Sequence, residues 1–222
     1  MEKSVGEAVK SGVAHLVTED SRFDGRHIQL SGKNCINFGS CSYLGIELDN
    51  RMKTAAMKAV EKFGTQFSSS RAYVSLGLYD ELETHLEKMF QAPVIVSAST
   101  TLGHLSAIPV IVGDNDAVIL DHQVHASVSM ACQTLRGKGT HIELVRHNNI
   151  EMLESRIKKL KDQYDKIWYM ADGVYSMYGD FAPVEELAFL LEKYEQLHLY
   201  LDDAHGIGWK GLRGTGHVYS IL

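Results

Sequence analysis

Leu197-His198-Leu199-Tyr200-Leu201-Asp202-Asp203-Ala204-His205-Gly206-Ile207-Gly208 is the stretch on which the fold turns. An apolar strand runs straight into two carboxylates, an imidazole and two glycines. Charged groups at the mouth of a buried strand are costly unless paired. The turn is therefore either a solvated βα connection with an aspartate capping the next element, or a place where those groups meet a ligand. The same pattern recurs upstream. Residues 117–120 run into Asp121-His122-Gln123-Val124-His125-Ala126-Ser127, and residues 166–170 into Ala171-Asp172-Gly173-Val174-Tyr175-Ser176-Met177-Tyr178-Gly179-Asp180. Further strands are expected at 93–97, 141–145 and 197–201, with helices near 102–110, 126–135, 150–164 and 184–194. Short, β-rich apolar strands alternating with helices predict an α/β fold, a mainly parallel sheet flanked by helices. Ligands in such sheets sit at the carboxyl ends of the strands, so the three polar clusters should share one rim.

The chain ahead of this region is organised differently. Residues 1–48 mix charge, glycine and two short β-like stretches, 27–30 and 36–38, and read as an N-terminal arm preceding a larger domain over 49–222. Asn50 is placed to cap a helix in which Met52, Ala55, Ala56, Ala59, Val60 and Phe63 recur at helical spacing until Gly64. The polar loop Gly64-Thr65-Gln66-Phe67-Ser68-Ser69-Ser70-Arg71 follows, and then a helix over 79–90 with Leu82, Leu86 and Phe90 on one face.

With 222 residues, 45% of them apolar, the chain can bury a substantial core. A net charge of −6 argues against nucleic acid or an anionic membrane as a partner. Its apolar runs are too short for a membrane span, and its first residues lack the apolar segment of a secretory signal. Cys35, Cys41 and Cys132 form no CxxC pair, which suits free thiols in a reducing compartment, by default the cytoplasm.

Several of these motifs together resemble those of the α-oxoamine synthases, enzymes of the fold-type I class that depend on pyridoxal 5'-phosphate (PLP). Asp202-Asp203-Ala204-His205-Gly206-Ile207-Gly208 is similar to the family's Asp-Glu/Asp-Ala-His-Gly-x-Gly signature. Phe38 with Ser42-Tyr43-Leu44-Gly45 resembles its Asn-Asp-Tyr-Leu-Gly element, and Gly64 with Ser70-Arg71 resembles its Gly-x-Gly-x-Ser-Arg loop. Asp121 with His125-Ala126-Ser127 resembles Asp…His-Ala-Ser, and residues 173–180 resemble Gly-Val-Phe-Ser-Met-Asp-Gly-Asp. All five stand in the family's order.

The resemblance implies the large domain of a PLP transferase, and with it roles for particular residues. Asp202 matches the carboxylate that holds the pyridine nitrogen protonated, and His205 the group bonded to the phenolate oxygen. His125 matches the imidazole stacked on the ring, which also assists acid–base steps at the substrate. Ser176 matches a serine on the phenolate side, while Asp172 and Asp203 are expected to support from behind. The phosphate is expected at a helix N-terminus, where Thr100 and Thr101 stand opposite the family's Gly-Phe pair. The implied reaction joins an amino acid to an acyl-CoA, with loss of CoA and CO2, in a homodimer.

The sequence departs from the family at Cys41-Ser42, at Thr100 and in the bulkier loop after Gly64. The family's Schiff-base lysine lies well downstream of its Asp-x-Ala-His motif, and Lys210 is too close to that motif to replace it. The expectation is therefore a truncated chain, inactive alone, with the C-terminal domain absent. Alternatives are an aminotransferase or lyase of the same fold, a non-catalytic homologue, or an interaction partner only. An Asp/His metal hydrolase built on Asp121, His122, His125, Asp202 and His205 lacks HExxH spacing, and no strand is followed by the GxGxxG of NAD sites.

Overall fold

The computed structural model describes residues 2–222. The chain divides into two compact units, Met1–Ser68 and Ser69–Leu222.

The first unit comprises helix α1 (Glu2–Lys10), an antiparallel hairpin of β1 (His27–Leu30) and β2 (Lys33–Ile36), and helix α2 (Asn50–Phe63). Ser31 and Gly32 both take positive φ, the backbone a two-residue hairpin turn requires. Helix α2 starts where the spacing predicted, but its cap is Asp49, whose side chain accepts from the Arg51 N–H at 2.8 Å. No residue of α2 is buried, and Met52, Met57 and Val60 stand exposed.

The second unit opens with α3 (Gly77–Phe90) and α4 (Thr100–Ile111), which bracket a larger departure from expectation. Residues 93–97 form no strand. Their β-rich composition is not enough, because a strand also needs a neighbour to complete its ladder. Side chains serve Val96 instead: Glu83 accepts from its N–H at 2.8 Å, and Arg71 donates to its carbonyl at 3.1 Å while pairing with both Glu83 oxygens.

From residue 117 the expected alternation holds, with β3 (Ala117–Asp121), α5 (Ala126–Arg136), β4 (His141–Val145), α6 (Ile150–Leu160), β5 (Ile167–Asp172), α7 (Val184–Lys193) and β8 (Leu197–Asp202); a small hairpin of β6 (Val174–Tyr175) and β7 (Asp180–Phe181), not expected, follows β5. The four longer strands form one parallel sheet in the order β4-β3-β5-β8.

The pleat divides the core into two layers. Successive side chains of a strand point to opposite faces. Ala117, Ile119, Ile167, Tyr169, Ala171 and Leu197 pack with Leu153 and Ile157 of α6 and Leu187 and Leu190 of α7. Their alternates Val118, Leu120 and Met170 pack with Ile108 of α4 and Val128, Ala131, Cys132 and Leu135 of α5. This alternation continues into the polar strand ends. By parity Asp121 and Asp203 fall on the α6/α7 side, and Asp172 and Asp202 on the α4/α5 side.

Candidate functional site

Asp202 closes β8 with its side chain only 8% exposed. Its Oδ2 accepts from Nε2 of His104, one turn into α4, at 2.9 Å, and its Oδ1 accepts from the Ala204 N–H at 3.1 Å. His104 Nδ1 lies 2.7 Å from the Tyr200 hydroxyl. A carboxylate only accepts, so Nε2 carries a proton in this chain, and the Tyr200 hydroxyl donates to Nδ1. Burial pushes the Tyr200 phenol up to about 12, so it keeps that proton. Burial also works to raise the Asp202 carboxyl, but the bonds from His104 and Ala204, with favourable electrostatics from His104 and His125, outweigh it and hold the group below the usual carboxylate range. Asp202 is thus a buried, ionised carboxylate paired with the His104 imidazole.

Asp172 is the register partner of Asp202 on β5 and faces the same side. Burial pushes its carboxyl up to about 7; the bond it accepts from the His125 N–H opposes this, and the charges of Asp202 and Asp121 add to it. The two adjacent carboxyls are thereby shifted in opposite directions. That same 2.9 Å bond from the His125 N–H to Asp172 Oδ1 fixes the turn between β3 and α5. His125 caps α5, with its Nδ1 turned back to Ser127 (2.6 Å to Oγ, 3.3 Å to N). Nε2 has no hydrogen-bond partner among the described residues.

The hydroxyl-rich turn forms the start of α4. Ser99 caps the helix by accepting from the Leu102 N–H at 3.2 Å, and Ser97 donates to the Ser99 carbonyl at 2.8 Å. Thr100 and Thr101 are the first two helical residues, both exposed, and their N–H groups have no acceptor among the described residues. Two unpaired donors at the positive end of a helix dipole favour an anion.

The structure gathers the ends of β3, β5 and β8 on one sheet edge with the α4 N-terminus. His205 is half-buried on the turn after β8, its carbonyl accepting from Trp209 Nε1 at 2.7 Å. Ser176 is exposed between β6 and β7. Asp203 turns to the other side of the pleat. Its Oδ2 accepts from the Val218 N–H at 2.8 Å, and the carboxylate lies against Gly173, Gly206 and Gly216 so closely that a Cβ at any of them would collide with it. Those glycines are needed to seat the aspartate.

His104 escaped the sequence reading. It sits in an apolar helix with no distinct polar face, and its one available signal was its spacing of four residues from the buried Ile108. The metal grouping has no geometry to support it: both Asp121 oxygens are taken by Gln123, Asn148, His147 and Tyr169, away from Asp202. No group of three or more His, Cys, Asp or Glu residues is placed to hold a metal ion among the described residues, and no helix there is long and apolar enough to cross a membrane.

Known proteins share this architecture. Residues 33–218 match the aminotransferase class I and II family. The chain is 34% identical to the 8-amino-7-oxononanoate synthase of Coprothermobacter proteolyticus over 219 residues, covering 98% of this chain and 55% of that protein. It is 36% identical to the Fervidobacterium nodosum enzyme of the same name over 199 residues, covering 87% of this chain and 49% of that one. The solved serine palmitoyltransferase from S. paucimobilis with bound PLP–myriocin aldimine superposes with a TM-score of 0.86 at 29% identity, covering 99% of this chain and 55% of that one. The Sphingomonas wittichii serine palmitoyltransferase gives 0.87 at 26%, with the same coverage. The chain belongs to the aminotransferase class I and II family and, within it, to the α-oxoamine synthases. It spans about half the length of the curated relatives it matches.

Proposed function

We propose that the chain is the cofactor-binding portion of a PLP-dependent acyl-CoA:amino-acid C-acyltransferase, whose decarboxylating condensation yields an α-oxoamine. The observation that carries this reading is Asp202, an ionised carboxylate buried at a strand end on the same sheet edge as two unpaired helix N–H groups. One end of that arrangement suits a protonated heterocycle and the other a phosphate, so the residues present fit PLP.

When bound, PLP supplies an electron sink that draws density from the substrate Cα as a bond there breaks. Asp202 would hold the proton on the ring nitrogen, and His104 would keep that carboxylate ionised and oriented. His125 would cover one ring face and turn Nε2 toward the substrate, where it can hold or release a proton. His205 and Ser176 would bond the phenolate side. The Thr100 and Thr101 amides would take the phosphate, with hydroxyls in place of the close backbone approach that glycine gives. Amino acid and acyl-CoA are the proposed substrates, a cytoplasmic homodimer the proposed setting.

Lys210 holds its ammonium over the Phe181 ring, 4.3 Å from the centroid, which supports the reading that it does not act as the Schiff-base lysine. The chain alone would then bind PLP without a covalent bond and lack turnover. Titrating PLP into the purified chain and following tryptophan fluorescence tests both points. Saturable binding is expected, with Asp202→Asn raising Kd about tenfold or more, and borohydride is expected to fix no cofactor. Equal affinity in the variant, or a stoichiometric adduct on one lysine, would contradict the reading.

A further inference from the structure

His147 follows β4 and carries a carboxylate on each ring nitrogen. Nδ1 lies 3.0 Å from Asp121 Oδ1, and Nε2 lies 2.7 Å from Asp180 Oδ2. Carboxylates accept and do not donate, so both bonds require a proton on each nitrogen, which makes the ring an imidazolium. Its two partners differ in freedom. Asp121 is fully buried, and besides His147 it accepts from the N–H groups of Gln123 and Asn148 and from the Tyr169 hydroxyl. Asp180 is 44% exposed and opens β7, opposite Tyr175 of β6. The only residues between these two are Ser176, Met177, Tyr178 and Gly179. One end of the bridge is anchored in the sheet, and the other holds the hairpin on which Ser176 rides. The hairpin also covers the ring, Tyr175 edge-on at 4.3 Å and Tyr178 stacked at 5.9 Å between centroids, while Asn148 Nδ2 donates to the Phe181 carbonyl at 3.0 Å.

We propose that His147 is a positioning residue: as an imidazolium bridging Asp121 to Asp180, it locks the β6–β7 hairpin to the end of β3 and so sets Ser176 at the cofactor edge. The role given to Ser176 rests on the function proposed above; the bridge itself does not.

Among the described residues two charged groups bear directly on the imidazole, Asp121 from β3 and Asp180 from β7, and the Asn148 amide lies 3.3 Å from Nε2 and 3.5 Å from Asp180 Oδ2. Tyr169 of β5 reaches it through Asp121, Tyr175 and Tyr178 flank it, and Arg146 and His122 line the surface hollow beside it. Burial acts to lower the His147 pKa, but the bonds and charges of the two aspartates overcome it, and the net shift is upward. A raised imidazole pKa makes the bridge's contribution complete below the unfolded value and lost as pH climbs through the folded one. The hairpin should therefore loosen on the alkaline side.

The test uses the whole chain with 15N-labelled histidine rings, together with Asp180→Asn and His147→Gln. At pH 7 both His147 ring nitrogens should be protonated. Asp180→Asn leaves the buried end of the bridge intact, so it keeps the test alive if His147→Gln does not fold. It should speed amide exchange at Gly179 and Ala182 about tenfold or more while leaving β3 unchanged. PLP affinity should fall with rising pH in the unaltered chain and be weaker and flat in Asp180→Asn. A singly protonated ring at pH 7, or unchanged hairpin exchange in Asp180→Asn, would overturn the bridge. PLP affinity and pH profile unaltered in Asp180→Asn would overturn the positioning role. Failure of PLP to bind the unaltered chain at all would instead overturn the cofactor reading and the role of Ser176, leaving the ring and exchange data to decide the bridge.

Discussion

Asp202 with His104 and Asp121 with His147 are two acid–histidine pairs, each with a buried carboxylate, at the ends of strands in the same sheet, yet they are wired differently. In the first, the histidine spends one nitrogen on the carboxylate and the other on the Tyr200 hydroxyl. In the second, the histidine spends both nitrogens on carboxylates, and Asp121 collects four donors in all. A carboxylate saturated by its own fold has no capacity left for a ligand, whereas one held by a histidine and a single N–H still attracts a cation. Saturation, and not burial or residue type, separates the structural pair from the one suited to chemistry. The pleat keeps them apart by sending them to opposite faces.

The largest effect should come from breaking the saturated pair. Asp121→Ala strands the imidazolium, two amides and the Tyr169 hydroxyl, and should cost about 3–5 kcal/mol, read from the shift in urea midpoint. His104→Phe should cost less, about 1–3 kcal/mol for the unpaired Tyr200 and Asp202, but it should raise the Asp202 pKa and weaken PLP, which NMR titration and binding would follow. If both substitutions proved equally destabilising and neither moved PLP affinity, the contrast between the pairs would fall.

pH separates them further. A lowered carboxyl pKa means that the contribution of Asp202 is present above its unfolded value and lost as pH falls through the folded one. That of His147 is lost on the alkaline side. Asp172 acts the other way from Asp202: with its pKa raised to about 7, the folded state disfavours its ionisation, and stability is surrendered as pH rises from the ordinary carboxyl value toward 7. Asp172→Asn keeps an acceptor for the His125 N–H, so it should match the unaltered chain near pH 4 and exceed it in stability at pH 8. The smallest change should be Ser127→Ala, which removes the buried hydroxyl bonded to His125 Nδ1 and should cost about 0.5–1.5 kcal/mol without altering the order of the strands.

Much of this architecture was written in local pattern. Residues 117–121, 141–145, 167–172 and 197–202 are short and β-rich, and their pairing needs no partner outside the sheet they form together. Their polar ends were legible because three such clusters, each open to a bland reading as a capped turn, fall on one edge of a single parallel sheet. What stayed hidden depends on distant neighbours. Residues 93–97 have strand composition but no strand beside them, and Arg71 and Glu83, well before them in the chain, satisfy Val96 instead. His104 is ninety-eight residues from Asp202, and its own helix marks it only by its spacing of four residues from Ile108. The β6–β7 hairpin has two residues a side, too short for any periodicity, and exists because residues 180–181 return to pair beside 174–175. Asp49 displaced Asn50 as the cap of α2 by a single position, a choice that backbone angles make and composition does not.

The central claim is that Asp202 keeps a ring nitrogen protonated. It is tested most directly with PLP labelled with 15N in its ring, bound to the chain and examined by NMR at a pH where the free cofactor's ring nitrogen has lost its proton. A protonated nitrogen in the bound state, reverting to the unprotonated shift in Asp202→Asn, is the result expected. An unprotonated nitrogen in the unaltered chain, or a shift indifferent to the substitution, would contradict it.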